Sequence, residues 1–266
     1  MAKQKGFIKL QGSLGGLTFY QRDGNSIVKT TGGVDKNRIN SDPNYRRTRE
    51  NMSEFGASAT VGKALRVGFS SIIKSFKDST ITGRITGVMK RINSLGTGLR
   101  GRREFQILDN KEVLEGLEFN EKVPLSTVFY PEYTAPTLDA NRSIATWVVP
   151  DFNASNYIKP PEGATHFKLI LVSTVLSNYT YNAGLKKYEP VEPTENTVNG
   201  INYSNAIPIA GQVGADTTLT VDLGFSNVLP NTVGLIMATG ILFYQQINTE
   251  LYELSSTNAM RISAVG

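Results

Sequence analysis

The chain has 266 residues, of which 39% are apolar, with no cysteine, one histidine and a formal net charge of +5. The lack of cysteine excludes disulfides, thiolate metal sites and a cysteine nucleophile, and the single histidine excludes a multi-histidine zinc site. The modest total conceals a division, because residues 1–104 carry 20 Lys/Arg against 7 Asp/Glu while residues 105–266 carry 8 against 16. An asymmetry of this kind concerns partners rather than folding, and here it points to an acidic partner or to another copy of the chain.

At its start, Met1 to Leu10, the chain is basic but lacks the apolar run of about 7–15 residues that a secretory signal requires, so synthesis into the cytoplasm is expected. Residues 7–11, 16–21 and 26–31 then read as three short strands, separated by 12–15 and by the hairpin signal Asp23-Gly24. Such a meander cannot bury its own apolar residues. Phe7, Ile8, Leu17, Phe19 and Ile27 therefore form a candidate assembly arm, to be covered by the next segment or by a neighbouring subunit.

A polar loop over 32–41 leads to Asp42-Pro43, a helix start with the acid as N-cap and proline in the first turn. Met52, Phe55, Ala59, Gly62, Leu65, Phe69, Ile72 and Phe76 recur at spacings of three and four, which predicts one apolar face. Small residues interleave with it (Gly56, Ala57, Ser58, Gly62, Ala64 and Gly68), and glycine disfavours a helix by up to about 1 kcal/mol. Their expected use is close approach of another backbone. Asp78 or Ser79 starts a second helix with Ile81, Ile85, Val88, Met89 and Ile92 on its apolar side.

The glycine-rich, basic stretch 96–103 marks the expected domain boundary, where the charge changes sign. Beyond it the helical period gives way to alternation over 143–149, 165–173, 217–223, 232–245, 250–254 and 259–265, with weaker cases at 105–108, 116–120 and 125–130. Short strands split by turns, without intervening helices, predict an antiparallel β-sandwich, with 178–214 as an exposed excursion. The expected fold is α+β, with a basic meander-and-helix assembly segment over 1–104 and an acidic β-sandwich domain over 105–266. No stretch reaches the roughly 20 apolar residues of a membrane-spanning helix; 233–244 comes nearest and is interrupted by glycine.

Few residues suggest chemistry. Gly96-Thr97-Gly98-Leu99-Arg100-Gly101 has dinucleotide-loop spacing, but it follows a helix and leads into strands, so it reads as a hinge. Gly12-Ser13-Leu14-Gly15-Gly16 lacks the Lys-Ser/Thr ending of a phosphate loop. His166 shares the polar face of its strand with Lys168, a rim position. Glu112, Glu115, Glu118 and Glu121 read as a solvated rim, the alternative being paired carboxylates. No catalytic residue, cofactor or metal ligand is assigned. Two arginine clusters, Arg46, Arg47 and Arg49, and Arg100, Arg102 and Arg103, suit phosphates or carboxylates through paired hydrogen bonds, so they are the candidate partner-binding residues. Lys63, Arg66, Lys74, Lys77, Arg84, Lys90 and Arg91 lie between them.

The run Lys5-Gly6-Phe7-Ile8-Lys9-Leu10-Gln11-Gly12-Ser13-Leu14-Gly15-Gly16-Leu17-Thr18-Phe19-Tyr20, then Thr31-Gly32-Gly33-Val34-Asp35, Asp42-Pro43, Arg47-Thr48-Arg49-Glu50-Asn51 and Glu54-Phe55-Gly56, resembles a group of proteins from Bacteroidota genomes and their mobile elements. A weaker echo appears at Ala164-Thr165-His166-Phe167-Lys168. The resemblance implies a bacterial or phage origin and a modular front segment that is not enzyme-like, and supplies no catalytic residue or cofactor. The expectation is thus a non-enzymatic structural protein that self-assembles, as a virion component or surface filament subunit. The alternative is a nucleic-acid-binding protein using the basic half. A third reading is a carbohydrate-binding sandwich with Trp147, Tyr179, Tyr181, Tyr188 and Tyr203 as stacking surfaces.

Overall fold

The computed structural model describes residues 2–266, and its contacts divide the chain into two units, 1–50 and 51–266. Glycine-containing turns shape the first. Gly15 and Gly16 have φ of 56° and 75°, and Asp23 and Gly24 have 50° and 72°. Positive φ at both central residues is the type I′ turn, whose twist matches that of a two-residue hairpin. Strands β1 (Ala2–Lys3), β2 (Gly12–Leu14), β3 (Leu17–Arg22) and β4 (Asn25–Thr30) pair antiparallel in the order β1-β4-β3-β2. The strand expected over 7–11 does not form. Gln4 folds that stretch back instead, its side chain accepting from the Leu10 N–H at 2.9 Å and donating to the Leu10 carbonyl at 3.3 Å. Since only the Gly15-Gly16 pair permits the tight turn, 12–14 joins the sheet rather than forming the turn.

Residues read as loop hold a short helix, α1 (Lys36–Ser41), because the Asp35 carboxylate accepts from the N–H groups of Asn37 and Arg38. Asp42 caps the 3₁₀ turn Pro43–Tyr45, accepting from Asn44 N–H at 2.9 Å, and the chain continues as α2 (Arg46–Gly68). The division between units falls in the first turns of α2.

Within the second unit the apolar face of α2 differs from the expected one in its first half. Met52 and Phe55 are 57% and 60% exposed, whereas Glu54, Ala57, Ser58, Val61, Leu65 and Phe69 are buried. The small residues pack closest, and Glu54 draws that face inward through the ion pairs described below. Gly62 stands against Ile85 and Thr86, and Gly68 against Thr174, while Gly56 faces open space. After α2 comes the 3₁₀ segment Ile73–Phe76 and α3 (Ile81–Leu95), which buries Ile81, Ile85, Val88, Met89 and Ile92 as expected.

The strands that follow are β5 (Thr137–Leu138), β6 (Ile144–Val149), β7 (His166–Ser177), after a short helix α4 (Ala154–Tyr157), β8 (Tyr179–Asn182), β9 (Lys187–Pro190), β10 (Asn199–Tyr203), β11 (Ile207–Pro208), β12 (Thr217–Asp222), β13 (Val233–Ile247), β14 (Glu250–Glu253) and β15 (Ala259–Val265). The molecule is α+β. A six-stranded antiparallel sheet runs β10-β7-β13-β14, with β11 on β7 and β15 on β13; a three-stranded sheet runs β12-β6-β5, and β8 pairs with β9.

Residues alternate between the two faces of a strand, and in β7 and β13 both faces are buried. Ile170, Val172, Leu176, Ile236, Ala238 and Leu242 join one apolar cluster with Leu65, Phe69, Ile85, Met89 and Ile92 of the helical segment. Phe167, Leu169, Leu171, Leu235, Met237, Ile241 and Phe243 join another with Ala145, Trp147, Val149, Leu219 and Val221 of the three-stranded sheet. The apolar run over 233–244 is thus an internal strand, and no helix among the described residues is long and apolar enough to cross a membrane.

Three expectations are corrected. The weak strands at 105–108, 116–120 and 125–130 reduce to the single bridges Phe105↔Tyr179, Glu118↔Arg261 and Phe129↔Ile158, flanked by 3₁₀ turns. The 178–214 stretch is no loose excursion, for β10 pairs with β7 and Tyr179 and Tyr188 are buried. The hinge at 96–103 lies inside the second unit, so the division falls at residue 50 and not at 104.

Candidate functional site

The arginine clusters divide between internal and external use. Arg46 Nε and Arg47 Nη1 donate to the two carboxylate oxygens of Glu50 at 3.0 and 2.8 Å, leaving both side chains mostly exposed. The Arg47 hydrogen bond, reinforced by Arg46, holds the Glu50 carboxyl below its ordinary range. Arg49 turns inward and donates to the carbonyls of Ile39 and Asp42 at 2.6 and 2.9 Å, fastening α1 to the start of α2.

In the second cluster Arg103 is a structural residue. Its Nε and Nη2 donate to Glu54 Oε1 and Oε2, both at 2.8 Å, and its Nη1 donates to the Ser94 carbonyl. Lys90 Nζ donates to Glu54 Oε2 at 2.5 Å, and the Gly101 N–H to Oε1 at 2.8 Å. Burial alone would push the Glu54 carboxyl up; the bonds from Arg103, Lys90 and Gly101 outweigh it and hold the pKa at about 2. The glycine loop thus directs the Gly101 N–H to a protein carboxylate, as a hinge does and a phosphate cradle does not. Arg100 Nη2 reaches Asn51 Oδ1 at 3.0 Å, and the Arg102 guanidinium lies 4.9 Å from the Tyr181 ring centre. Glu54 is the organising residue missed in the sequence, where a lone acid among small residues resembles a solvated position.

The assembly-arm residues do not share one face. Phe19 opposes Val28 in the β3–β4 register and Leu14 opposes Leu17 in the β2–β3 register, so Leu14, Leu17, Phe19 and Val28 line one side of the sheet. Ile27 lies on the other side, opposite Tyr20 and near Thr18 and Lys29. Phe7 and Ile8 stand outside the strands, 95% and 64% exposed.

The four glutamates converge. Glu112, Glu115, Glu118 and Glu121 line one cleft of about 410 Å³ with Arg84 and Arg91. Glu115 accepts from the Val265 N–H at 3.1 Å and Glu118 from the Leu125 N–H at 3.0 Å. Burial pushes the Glu118 carboxyl up, against that hydrogen bond and the nearby Arg261 and Arg84. Asp78 binds Arg84 and the Thr80 N–H and hydroxyl; burial raises its pKa, but these bonds and the Glu121 N–H hold it far below the ordinary range. The cleft carries both signs of charge, and beside it Arg84 Nη1 donates to the Glu118 carbonyl and the Glu121 N–H to Asp78, which joins the helical segment to 118–121. Among the described residues no group of three or more His, Cys, Asp or Glu is placed to hold a metal ion.

His166 is partly buried at the start of β7, with Nδ1 3.0 Å from Thr165 Oγ1. Trp147 is corrected from stacking surface to core: it is 1% exposed and sits 5.3 Å from the Tyr133 ring centre and 6.2 Å from that of Phe129. Tyr179 and Tyr188 are also buried, while Tyr203 is 41% exposed. No protein-family model, curated protein or solved structure matches the chain.

Proposed function

We propose that the protein is a non-enzymatic structural subunit that assembles with copies of itself through residues 1–50, as a virion component or surface filament subunit does. One observation carries the reading: no apolar side chain among the described residues of the first unit is buried, the buried apolar residues beginning at Ala57. A sheet of this size without a core is marginal in water, and a partner covering Leu14, Leu17, Phe19 and Val28 would supply what the unit lacks. The opposite charges of the two chain halves favour a second copy as that partner, because they orient a head-to-tail contact. Such a contact between unlike surfaces generates rings or filaments. In this reading the stacked six- and three-stranded sheets are a β-sandwich body that carries the connector.

A second reading, nucleic-acid binding by the basic half, is favoured by the exposure of Arg46 and Arg47. Light scattering and negative-stain imaging of the 266-residue chain and of a form lacking 1–33, each with and without duplex DNA, separate the two. Self-assembly predicts large particles without DNA and their loss on deletion. Particles that survive the deletion would remove the arm as connector, and particles that require DNA would install the second reading.

A further inference from the structure

A second cleft, of about 640 Å³, lies where α2 gives way to α3 and belongs wholly to the 51–266 unit. It exists because α2 stops at Gly68, the chain turns through Ile73–Phe76, and Lys77 with φ of 44° reverses it toward Ile81. Val67, Ile73 and Ile81 give it an apolar wall, and Val67 is 44% exposed although it is apolar. Lys63, Arg66, Lys74 and Lys77 surround that wall. Among the described residues none of these four cations has an ion pair. The one acid in the lining, Asp78, is already taken by Arg84, Thr80 and the Glu121 N–H. Arg66 donates through Nη1 to Thr82 Oγ1 at 3.3 Å, while its Nε is buried without an acceptor.

Four unneutralised positive charges around one concavity repel one another, and a guanidinium nitrogen without an acceptor is costly. An anion relieves the repulsion, and an apolar chain would cover the exposed wall. The volume is that of a small-molecule site, about 300–1,000 Å³. No aromatic side chain lines the cleft, which removes the stacking platform that single-stranded nucleic acid uses. We propose that this cleft binds a small amphipathic anion, a phosphate or carboxylate head group on an apolar chain. The head meets Lys63, Arg66, Lys74 and Lys77, and the chain lies along Val67, Ile73 and Ile81.

Calorimetric titration of the 266-residue chain tests this with dodecyl phosphate below its micelle concentration, inorganic phosphate, dodecyltrimethylammonium, anionic phospholipid vesicles and a DNA oligonucleotide. Dodecyl phosphate should saturate one site, with inorganic phosphate and the cationic amphiphile at least about tenfold weaker. The pair Lys74→Glu and Lys77→Glu should weaken dodecyl phosphate by about tenfold or more, as should Val67→Asp, while the control pair Lys159→Glu and Lys186→Glu leaves it unchanged. If near-UV circular dichroism shows that charge reversal perturbs the fold, Lys74→Gln with Lys77→Gln gives the same reading. The proposal is overturned by no binding of dodecyl phosphate, by equal binding of inorganic phosphate, by equal weakening in the control pair, or by binding confined to vesicles or the oligonucleotide.

Discussion

Glu54 has no exposed surface and accepts four hydrogen bonds, from Arg103 Nε and Nη2, Lys90 Nζ and the Gly101 N–H. Removing its charge leaves two cations facing a neutral group in a buried setting, and breaking such a pair costs about 3–5 kcal/mol. Glu54→Gln should therefore lower stability by that order in urea unfolding. The pH dependence follows from the same contacts. Because the folded pKa of about 2 lies below the ordinary carboxylate value, the ionised form stabilises the fold above about pH 4.5, and this contribution disappears as pH falls toward 2. Unfolding free energies measured from pH 6 to 2 should show an acid loss in the parent that is reduced in Glu54→Gln; parallel curves would mean that the carboxylate is not the titrating group. A neighbouring site tests packing. A Cβ on Gly68 would overlap the Thr174 side chain, so Gly68→Ala should cost about 1–3 kcal/mol, and adding Thr174→Ala should recover part of it. No recovery would mean that contacts other than the Thr174 side chain set the cost, since alanine is the better helix former. Close approach at Gly68 was legible from the small residues of α2, but its neighbour Thr174 and the role of Glu54 were not, because both depend on what meets α2 from segments far along the chain.

At the scale of elements, legibility followed the strength of local signals. β6, β7 and β12 to β15 were readable because each is a sustained apolar or alternating run, and β3 and β4 because Asp23-Gly24 admits one turn type. The three weak runs failed because a single bridge leaves no period to read. The first half of the α2 face was misread because bulk was equated with burial: Met52 and Phe55 are exposed while Ala57, Ser58 and Glu54 are inside. Strand parity sharpens the assembly arm into a test. Leu17 and Ile27 lie on opposite sides of the same small sheet, so an introduced charge at each probes one side. Leu17→Asp should reduce the particle mass seen by light scattering, whereas Ile27→Asp should leave it nearly unchanged. Equal loss in both would indicate that the whole sheet, rather than its apolar side, makes the contact.

For the whole molecule, the change in charge sign and the glycines at 96–103 marked a real turn but not a boundary between cores. Glu54 fixes that turn from α2, and the cluster on the helical side of the six-stranded sheet needs residues from both sides of it. Twelve of that cluster's buried apolar residues, from Ala57 to Ile92, precede residue 104, and every member of both clusters lies within 51–266. Two fragments therefore diverge. The fragment 51–266 keeps both clusters; it gives up the Asp42-capped turn, a cap being worth about 1 kcal/mol, and the residues of α2 before Asn51. It should unfold in one cooperative transition within about 5 °C of the parent. The fragment 105–266 exposes the face of β7 and β13 formed by Ile170, Val172, Leu176, Ile236, Ala238 and Leu242, a patch that aggregates or melts without its helical cover. Thermal unfolding and soluble yield of the two fragments decide the matter: a cooperative, soluble 105–266 would return the boundary to the glycine-rich turn and reduce the helices to an appendage of the sheet.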